Sequence, residues 1–532
     1  MPAGRTVKIA VIGTGLAGLT AAHLLAKESQ GDGVDFEVHL FEKASGLIPS
    51  VLYTSFTVCF QSSAIGMDSA SISLTGNNTA SEDDWRVDVP MRSFQGEKAG
   101  QDRTIITTMI YNGGSGRAGV SKPSSLGNVD ADKQVTSFQN PLRNIWATGL
   151  FLLYTLQLII CYAITLYHSL PLWRSSDIST MTFRDWASRS TPHRFIFKRI
   201  GLDLMWIDYV HSTLIPLFSA VCTAPAEDIL NHPVEEFLDY IWLTLGTHHY
   251  VVVGGVRDVV SRLTAGIRHL HLSSPIMSIQ SDRDDPHFNE ETTEYNGFHH
   301  VILATQASGA VPILSNYLQS MPAQSSHRDD VERQINCLKA FDYRKSIVVN
   351  HTDDTLLPDN SADVRDLNLI SHPFHSSSRF YEMQNSKAFG TLCVSPSYTM
   401  ATHVLSTPKE YPHTAPRVYQ TTNPIIAPKE ESILSVSKLD RAIVTRRSKA
   451  ALQSLCVQES KKWWQCSYES RTRLGELQGN STVLKGYNPG IWICGSYAHL
   501  GIPLLEGCVV SARNVVEGIL AKEGAVWKGK PW

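Results

Sequence analysis

Between Val7 and Gly18 the chain reads VKIAVIGTGLAG, and this stretch with its continuation to Lys43 restricts the folds open to the protein more than any other part. An apolar run ends at Ile12 and glycines stand at 13, 15 and 18. LTAAHLLAK then has helical apolar spacing, and EVHLFEK forms a second apolar run ending at Glu42. A strand that turns into a helix and returns as a parallel strand is a βαβ unit, which predicts an α/β fold with a Rossmann-like sheet. Each glycine has a separate task in such a unit. Gly13 allows the tight turn, Gly15 lets an anionic pyrophosphate reach the N–H groups at the helix N-terminus, and Gly18 lets helix and strand pack closely. Leu16 and Ala17, which follow Gly15, and Lys43 are counted with the glycines among the expected cofactor-binding residues. Glu42, with Lys43 beside it, stands where an acidic residue accepts hydrogen bonds from a ribose. Glycines alone also cluster in ordinary loops; here strand, helix and acid come in the order a bound dinucleotide requires. The alternative is a structural unit of the same shape with no ligand.

The chain has 532 residues, enough for two or three domains. With 47 basic and 50 acidic residues it offers no electrostatic case for nucleic acid. Nine scattered cysteines without C-x-x-C spacing indicate neither a disulfide framework nor a zinc site, so a reducing compartment and no metal are expected. The βαβ unit starts almost at Met1, with no basic n-region and no separate apolar h-region. A secretory signal is therefore not expected, and the protein is placed on the cytoplasmic side. The sequons at Asn77 and Asn350 then read as chance matches.

At the other end, GIWICGSYAHLGIPLLEGCVVSARNVVEGIL predicts a strand from Ile491 to Cys494, then Gly495, a loop, Glu506-Gly507, and a helix starting near Cys508. Small residues there let a helix N-terminus approach a ligand with its free N–H groups. In the middle, YVVVGGVRDVVSRLTAGIRHLHLSSPIMSIQ reads as a strand into Gly254-Gly255, a helix, and a strand near Ser274 to Ile279. A polar tip and the strand HHVILATQA come next, which predicts a hairpin or meander.

These three elements in this order resemble the FAD-dependent amine-oxidase-like flavoproteins. The resemblance is closest to a branch of predicted FAD/NAD-binding proteins linked with cyclopropane-fatty-acid synthases. FSAVCTAP, LDYIWLTLGTHHYVVVGGV, AFDYRKSIVVNHTDD and RVYQTTNP look like the same branch. The resemblance implies that Gly13, Gly15, Gly18 and Glu42 hold the ADP half of FAD, that Ile276 meets the adenine, and that Gly495, Glu506 and Gly507 border the flavin. It covers the first 45 residues and most of the chain from Phe218 onward. Two departures stand out. LIPSVLYTSFTVCFQSS intervenes before IGMDS, where relatives have a glycine-rich segment, and an aromatic helical stretch is missing after RVDVPMRSFQG.

The expected organisation is a discontinuous FAD-binding domain with an inserted α+β substrate domain. Its cofactor-binding parts are 1–95, 246–310 and 486–532. A polar linker or loop occupies 96–143, an apolar helical region that contacts substrate or membrane occupies 144–245, and the substrate domain occupies 311–485. Asn144 to Trp173 is 30 residues without Asp, Glu, Lys or Arg. Its length suits a bilayer-spanning helix. A single crossing would put the two halves of the FAD site on opposite sides, so an interfacial helix or a core helix is favoured over a span. Trp146, Tyr154, Tyr162, Tyr167 and Trp173 suit either. Thr407 to Pro428 carries five prolines and reads as irregular, and Lys438 to Lys449 reads as a solvated helix face.

The pairs His248-His249 and His299-His300 point to opposite faces of a strand and cannot readily chelate one ion. No nucleophile motif is present, in keeping with a cofactor that carries the chemistry. The expectation is an FAD-dependent oxidoreductase acting on an amine or an unsaturated, lipid-like apolar small molecule. Protein partners are not indicated and the catalytic residues are left open. Lys345 is the one basic residue nominated near the flavin, with a solvent-facing strand lysine as the plainer reading. Two alternatives stay open: a membrane-associated flavin-binding protein without turnover, and an NAD(P)-dependent oxidoreductase.

Overall fold

A computed structural model describes residues 5–28, 34–44, 71–74, 85–88, 92–93, 102–103, 108–112, 141–245, 250–251, 255–280, 293–325, 327–357, 364–365, 367–371, 387–405, 416–458, 472–479 and 490–525. The chain is an α/β protein, and its principal sheet has five parallel strands gathered from three distant stretches. Their order is Gly490–Ile493, His300–Leu303, Arg5–Ile12, Val34–Phe41 and His269–His271. Arg5–Ile12 lies in the middle, with Ile12 in register with Phe41 on one side and Leu303 on the other. Its second half is buried throughout, as a strand covered on both faces must be.

Alternate residues of that strand face opposite helical layers. Val7, Ile9 and Val11 pack with helices Leu16–Glu28, Gly255–Thr264 and Leu505–Glu523. Ala10 and Ile12 face helices Ala307–Ser320 and Arg328–Leu338. The chain leaves the central strand toward Val34–Phe41 and later returns on the other flank at His300–Leu303. That reversal opens a crevice at the carboxyl ends of the strands, beside Gly13.

A second, mostly antiparallel sheet runs in the order Ile433–Ile443, Asp342–His351, Tyr419–Thr422, Met400–Val404, Leu367–Ser371 and Thr108–Asn112. Helices from Pro141 to Thr244 form a third part, whose core includes Phe183, Trp206, Phe218 and Phe237 and takes in Ile443 from the second sheet.

Several expectations need correction. The segment 96–143 is not only loop: Thr108–Asn112 pairs in parallel with Leu367–Ser371, and helix Pro141–Ser169 starts inside it. Tyr419–Thr422 is a strand within the proline-rich stretch, because its backbone is claimed from both sides by Asp342–His351 and Met400–Val404. Lys438 to Lys449 is not one helix. Residues up to Ile443 finish a strand, and Thr445 starts the helix Arg446–Leu452 with a reciprocal cap to Ser448. Lys449 there pairs with Glu235 at 2.5 Å and Glu236 at 3.1 Å.

No strand forms at Ser274 to Ile279. The edge strand ends at His271 because Ser273 takes a positive φ of 51° and Ser274 N–H turns to the Glu42 carbonyl. The expected hairpin is absent among the described residues too, since His269–His271 and His300–Leu303 lie at opposite sides of Arg5–Ile12 with Val34–Phe41 between. The long insertion after Leu47 and the His248-His249 pair fall outside the described residues.

Candidate functional site

The glycine loop caps the central strand. Gly13 has φ of 105° and donates its N–H to the Phe41 carbonyl at 2.9 Å, so the turn is locked to the neighbouring strand. Gly15 is buried at the start of helix Leu16–Glu28, and its carbonyl accepts the Leu19 N–H at 2.9 Å. Leu16, Ala17 and Gly18 are all buried on the first turn. A Cβ on Gly18 would lie 1.9 Å from the Gly13 carbonyl oxygen, so only glycine fits. That first turn carries no acidic side chain. Its free N–H groups therefore keep the positive end of the helix dipole available to an anion.

Glu42 sits at the end of the adjacent strand with its carboxylate turned to this loop. Oε2 accepts from the Thr14 N–H at 3.0 Å and from the Thr14 hydroxyl at 2.5 Å, and Oε1 accepts from the Ala44 N–H at 3.1 Å. Thr14, hidden between two glycines, is a participant that the spacing did not single out. Lys43 is exposed.

The carboxyl-terminal segment meets the same loop. Strand Gly490–Ile493 leads through Cys494 to Gly495, whose φ is 157° and whose N–H donates to Ser511 Oγ at 3.0 Å. The helix after it spans Leu505–Glu523, three residues earlier than the expected start near Cys508. Glu506 and Gly507 therefore lie in its first turn instead of before it. The extended Leu504 is the N-cap that sets this start. A Cβ on Gly507 would lie 2.9 Å from the Ser496 carbonyl oxygen. The glycine lets the helix N-terminus close onto the turn at Ser496–Ala498. Cys508, one residue on, rests against the backbone of Ala17. Two helix N-termini from opposite ends of the sequence thus converge beside the central strand. Glu506 is exposed at their rim.

Next to this junction a partly open cavity lies where the three parts of the protein meet. The helical part contributes Val221, Cys222, Ala224 and His232; the second sheet contributes Tyr343, Asp440 and Arg441; the carboxyl-terminal turn contributes Ser496 and Tyr497. Arg441 is buried and its Nε donates to Thr223 Oγ1 at 2.7 Å. Among the described residues three buried polar atoms here have no partner, the Tyr497 hydroxyl, Nδ1 of His499 and Nε2 of the cavity-lining His232. Burial pushes the His499 imidazole down to about 4, so it is neutral. None of Tyr497, His499 and Arg441 belongs to a recognisable sequence motif.

The remaining candidates lie elsewhere. Ile276 is half-buried in an irregular segment and packs on the core under helix Ala307–Ser320, so no strand backbone is offered there to an adenine. Lys345 is exposed on its strand, which is the plainer of its two readings. His300 is a bonded core histidine, with Nε2 2.8 Å from Glu523 and Nδ1 accepting from Trp492 at 3.2 Å, while His299 turns to the surface. Glu37, His39 and His269 bring ligand atoms within 4.8 Å of one another. His39 already uses Nε2 on Glu37 and Nδ1 on His271, and it stacks parallel to His269, so the rings do not aim at one point.

Comparison with known proteins agrees with the loop geometry. Residues 11–51 match the family described as the NAD(P)-binding Rossmann-like domain. No curated protein matches the chain. Among solved structures, wild-type putrescine oxidase bound to putrescine is similar over 97% of this chain and 100% of its own, with 12% identity and a TM-score of 0.39. A double mutant of that enzyme, redesigned in its cofactor binding, is similar over the same shares with 11% identity and a TM-score of 0.40. At these scores the likeness carries no functional argument, and the fold assignment stands on the sheet order and register above.

Proposed function

We propose that this protein is an FAD-dependent oxidoreductase of the amine-oxidase-like kind, taking hydride from a C–H bond beside nitrogen or an unsaturated carbon of an apolar substrate. The observation that carries this reading is the convergence of the Gly13–Gly18 loop with the Gly507 helix N-terminus. A dinucleotide fingerprint alone does not choose between FAD and NAD(P). A second helix N-terminus, brought from the far end of the chain to within contact of Ala17, is the arrangement the flavoprotein resemblance implies.

The residues fit the cofactor. The loop offers N–H groups and no side-chain bulk to a pyrophosphate, and Glu42 holds its carboxylate where a ribose hydroxyl can replace the Thr14 hydroxyl as donor. Gly507 keeps the carboxyl-terminal helix close, and the unpartnered Tyr497 hydroxyl and His499 Nδ1 provide hydrogen bonds beside it. Bound FAD would supply the two-electron acceptor; the protein supplies orientation, charge and exclusion of water. In the adjoining cavity Val221, Ile229, Ile443 and Ile502 suit an apolar body. Asp440 and Asp228 stand among them to receive an amine, although Asp228 is already held by Arg344 at 2.7 Å.

Purified protein should show the visible absorbance of oxidised flavin, release FAD on denaturation, and bleach with an apolar amine. A colourless protein that binds NAD(P) instead would reject the reading. Gly15→Val should fold yet carry little flavin, because a β-branched side chain takes the space of the pyrophosphate; unchanged flavin stoichiometry would contradict it. Glu42→Ala should lower FAD affinity about tenfold to a hundredfold, since a charge-assisted hydrogen bond is worth roughly 1.5–3 kcal/mol. A change of less than about twofold would remove Glu42 from the ribose.

A further inference from the structure

The helices of 141–209 expose an apolar surface that nothing among the described residues covers. On helix Pro141–Ser169, Leu152, Leu156 and Ile159 are 61%, 55% and 58% exposed. The neighbouring helices Phe195–Arg199 and Leu202–Tyr209 add Phe195, Phe197, Ile200 and Leu204, with Phe195 77% and Leu204 70% exposed. The two sets adjoin, because Gln157 Nε2 donates to the Ile200 carbonyl at 2.8 Å. At the aromatic end, exposed Tyr167 stacks on exposed Trp173 with centroids 4.6 Å apart. The short helix carries Lys198 and Arg199, and Arg194 directly precedes it; all three are exposed and without an ion pair among the described residues. Acidic neighbours are Asp203, half-buried, and Asp208, exposed.

We infer that this face docks on the surface of an anionic lipid bilayer, with the leucines and phenylalanines among the acyl chains and Arg194, Lys198 and Arg199 on the headgroups. Unpaired cations beside exposed aromatic and aliphatic residues are the composition of an interfacial helix. A crossing is ruled out by the fold. Strands Arg5–Ile12, His300–Leu303 and Gly490–Ile493 share one sheet, so the chain on either side of helix Pro141–Ser169 stays on one side of a bilayer. A two-pass hairpin would need Leu202–Cys222 as its second span, the one stretch long and apolar enough by composition among the described residues. That stretch commits Trp206, Tyr209, Leu214 and Phe218 to a protein core with Phe183 and Phe237. It also links the docking face to the cavity, since Leu204 faces outward near its start and Val221 and Cys222 line the cavity at its end. An apolar substrate would therefore reach the cavity along one helical run. The docking itself does not depend on the oxidoreductase reading.

Co-sedimentation with phosphatidylserine/phosphatidylcholine vesicles tests it. The full chain should partition to these vesicles, and weakly to phosphatidylcholine alone. Removing two cations in Lys198→Gln/Arg199→Gln should lower partitioning by roughly 25-fold, about fivefold for each cation taken away from the headgroups. Leu152→Ser/Leu156→Ser/Ile159→Ser should abolish binding and leave the melting temperature unchanged, because these side chains are exposed. Equal binding to neutral vesicles, or a triple variant that binds as before or melts several degrees lower, would overturn the proposal. So would a vesicle-free dimer that these substitutions dissolve, which would make a second copy the occupant, or protease protection of residues 170–201 in sealed vesicles, which would indicate a two-pass hairpin.

Discussion

Gly18→Ala should destabilise the protein by about 3 kcal/mol or more and leave it poor in cofactor, the upper end of what an overpacked core costs. The added Cβ would stand 1.9 Å from the Gly13 carbonyl oxygen and 3.1 Å from the Ala304 Cβ. No side chain can rotate away, since the nearest obstacle is backbone. Either the helix Leu16–Glu28 lifts from the central strand or the turn at Gly13 unlocks from Phe41. Both movements take the helix N-terminus out of line with the Gly507 turn, so stability and cofactor content should fall together. Gly149→Ala is the internal control: it lies mid-helix with nothing within 4 Å of a Cβ, and alanine there should stabilise by roughly 0.5–1 kcal/mol. Urea unfolding with flavin quantitation measures both. A Gly18→Ala protein within about 0.5 kcal/mol of the parent, the scatter of ordinary surface changes, would show that the loop tolerates a methyl and that its spacing has another cause.

Where local chemistry alone decides the backbone, the sequence is legible. Three glycines, a helical repeat and a terminal acid determine strand, turn, helix and strand over residues 5–42, and the structure places all of them. The expected strand at Ile276 failed for a nonlocal reason: Glu42 draws Ser274 onto its carbonyl, and the edge strand ends at His271. Thr108–Asn112 is likewise a strand only because Leu367–Ser371, more than 250 positions away, presents an edge to it. Lys449 illustrates the same limit for charge. Its run of basic neighbours reads as solvated, yet Glu235 and Glu236 of another helix hold it partly buried. The apolar segment 144–173 was visible by composition, but the contribution of Phe195 to Leu204 to the same surface comes from packing through Gln157.

Acidification from pH 6.5 toward 4 should unfold the protein, because it buries several histidines in neutral form. Burial pushes His232, His351 and His499 each down to about 4. In the unfolded chain each titrates near 6.5, so between these values the unfolded state holds more protons and stability rises with pH. The stabilisation is complete above about pH 6.5 and is lost as pH falls to about 4, at up to ~1.4 kcal/mol per pH unit for each imidazole. Three of them reach about 4 kcal/mol per unit, against a typical total of roughly 5–15 kcal/mol. His300, buried beside Glu523, is shifted the same way. Glu236 and Asp239 act in the opposite sense, since burial holds their carboxyls above the ordinary value and they take up protons in the folded state. Glu506 is raised with them, but burial also lowers His23, His39, His168 and His271, so the imidazoles outnumber the carboxyls and acid destabilises. His232 offers the sharpest test: its ring stacks on Phe237 with centroids 4.2 Å apart, so phenylalanine fits the same slot. His232→Phe should cost about 1 kcal/mol at pH 7.5, through the lost hydrogen bond to the Pro233 carbonyl at 2.9 Å. Its slope of stability against pH should then be shallower by ~1.4 kcal/mol per unit between pH 6 and 4.5. Urea midpoints taken across that range give the slope directly. An unchanged slope in the variant would mean that His232 titrates normally in the folded protein, and flat stability in the parent would mean that the buried imidazoles are charged or reached by water.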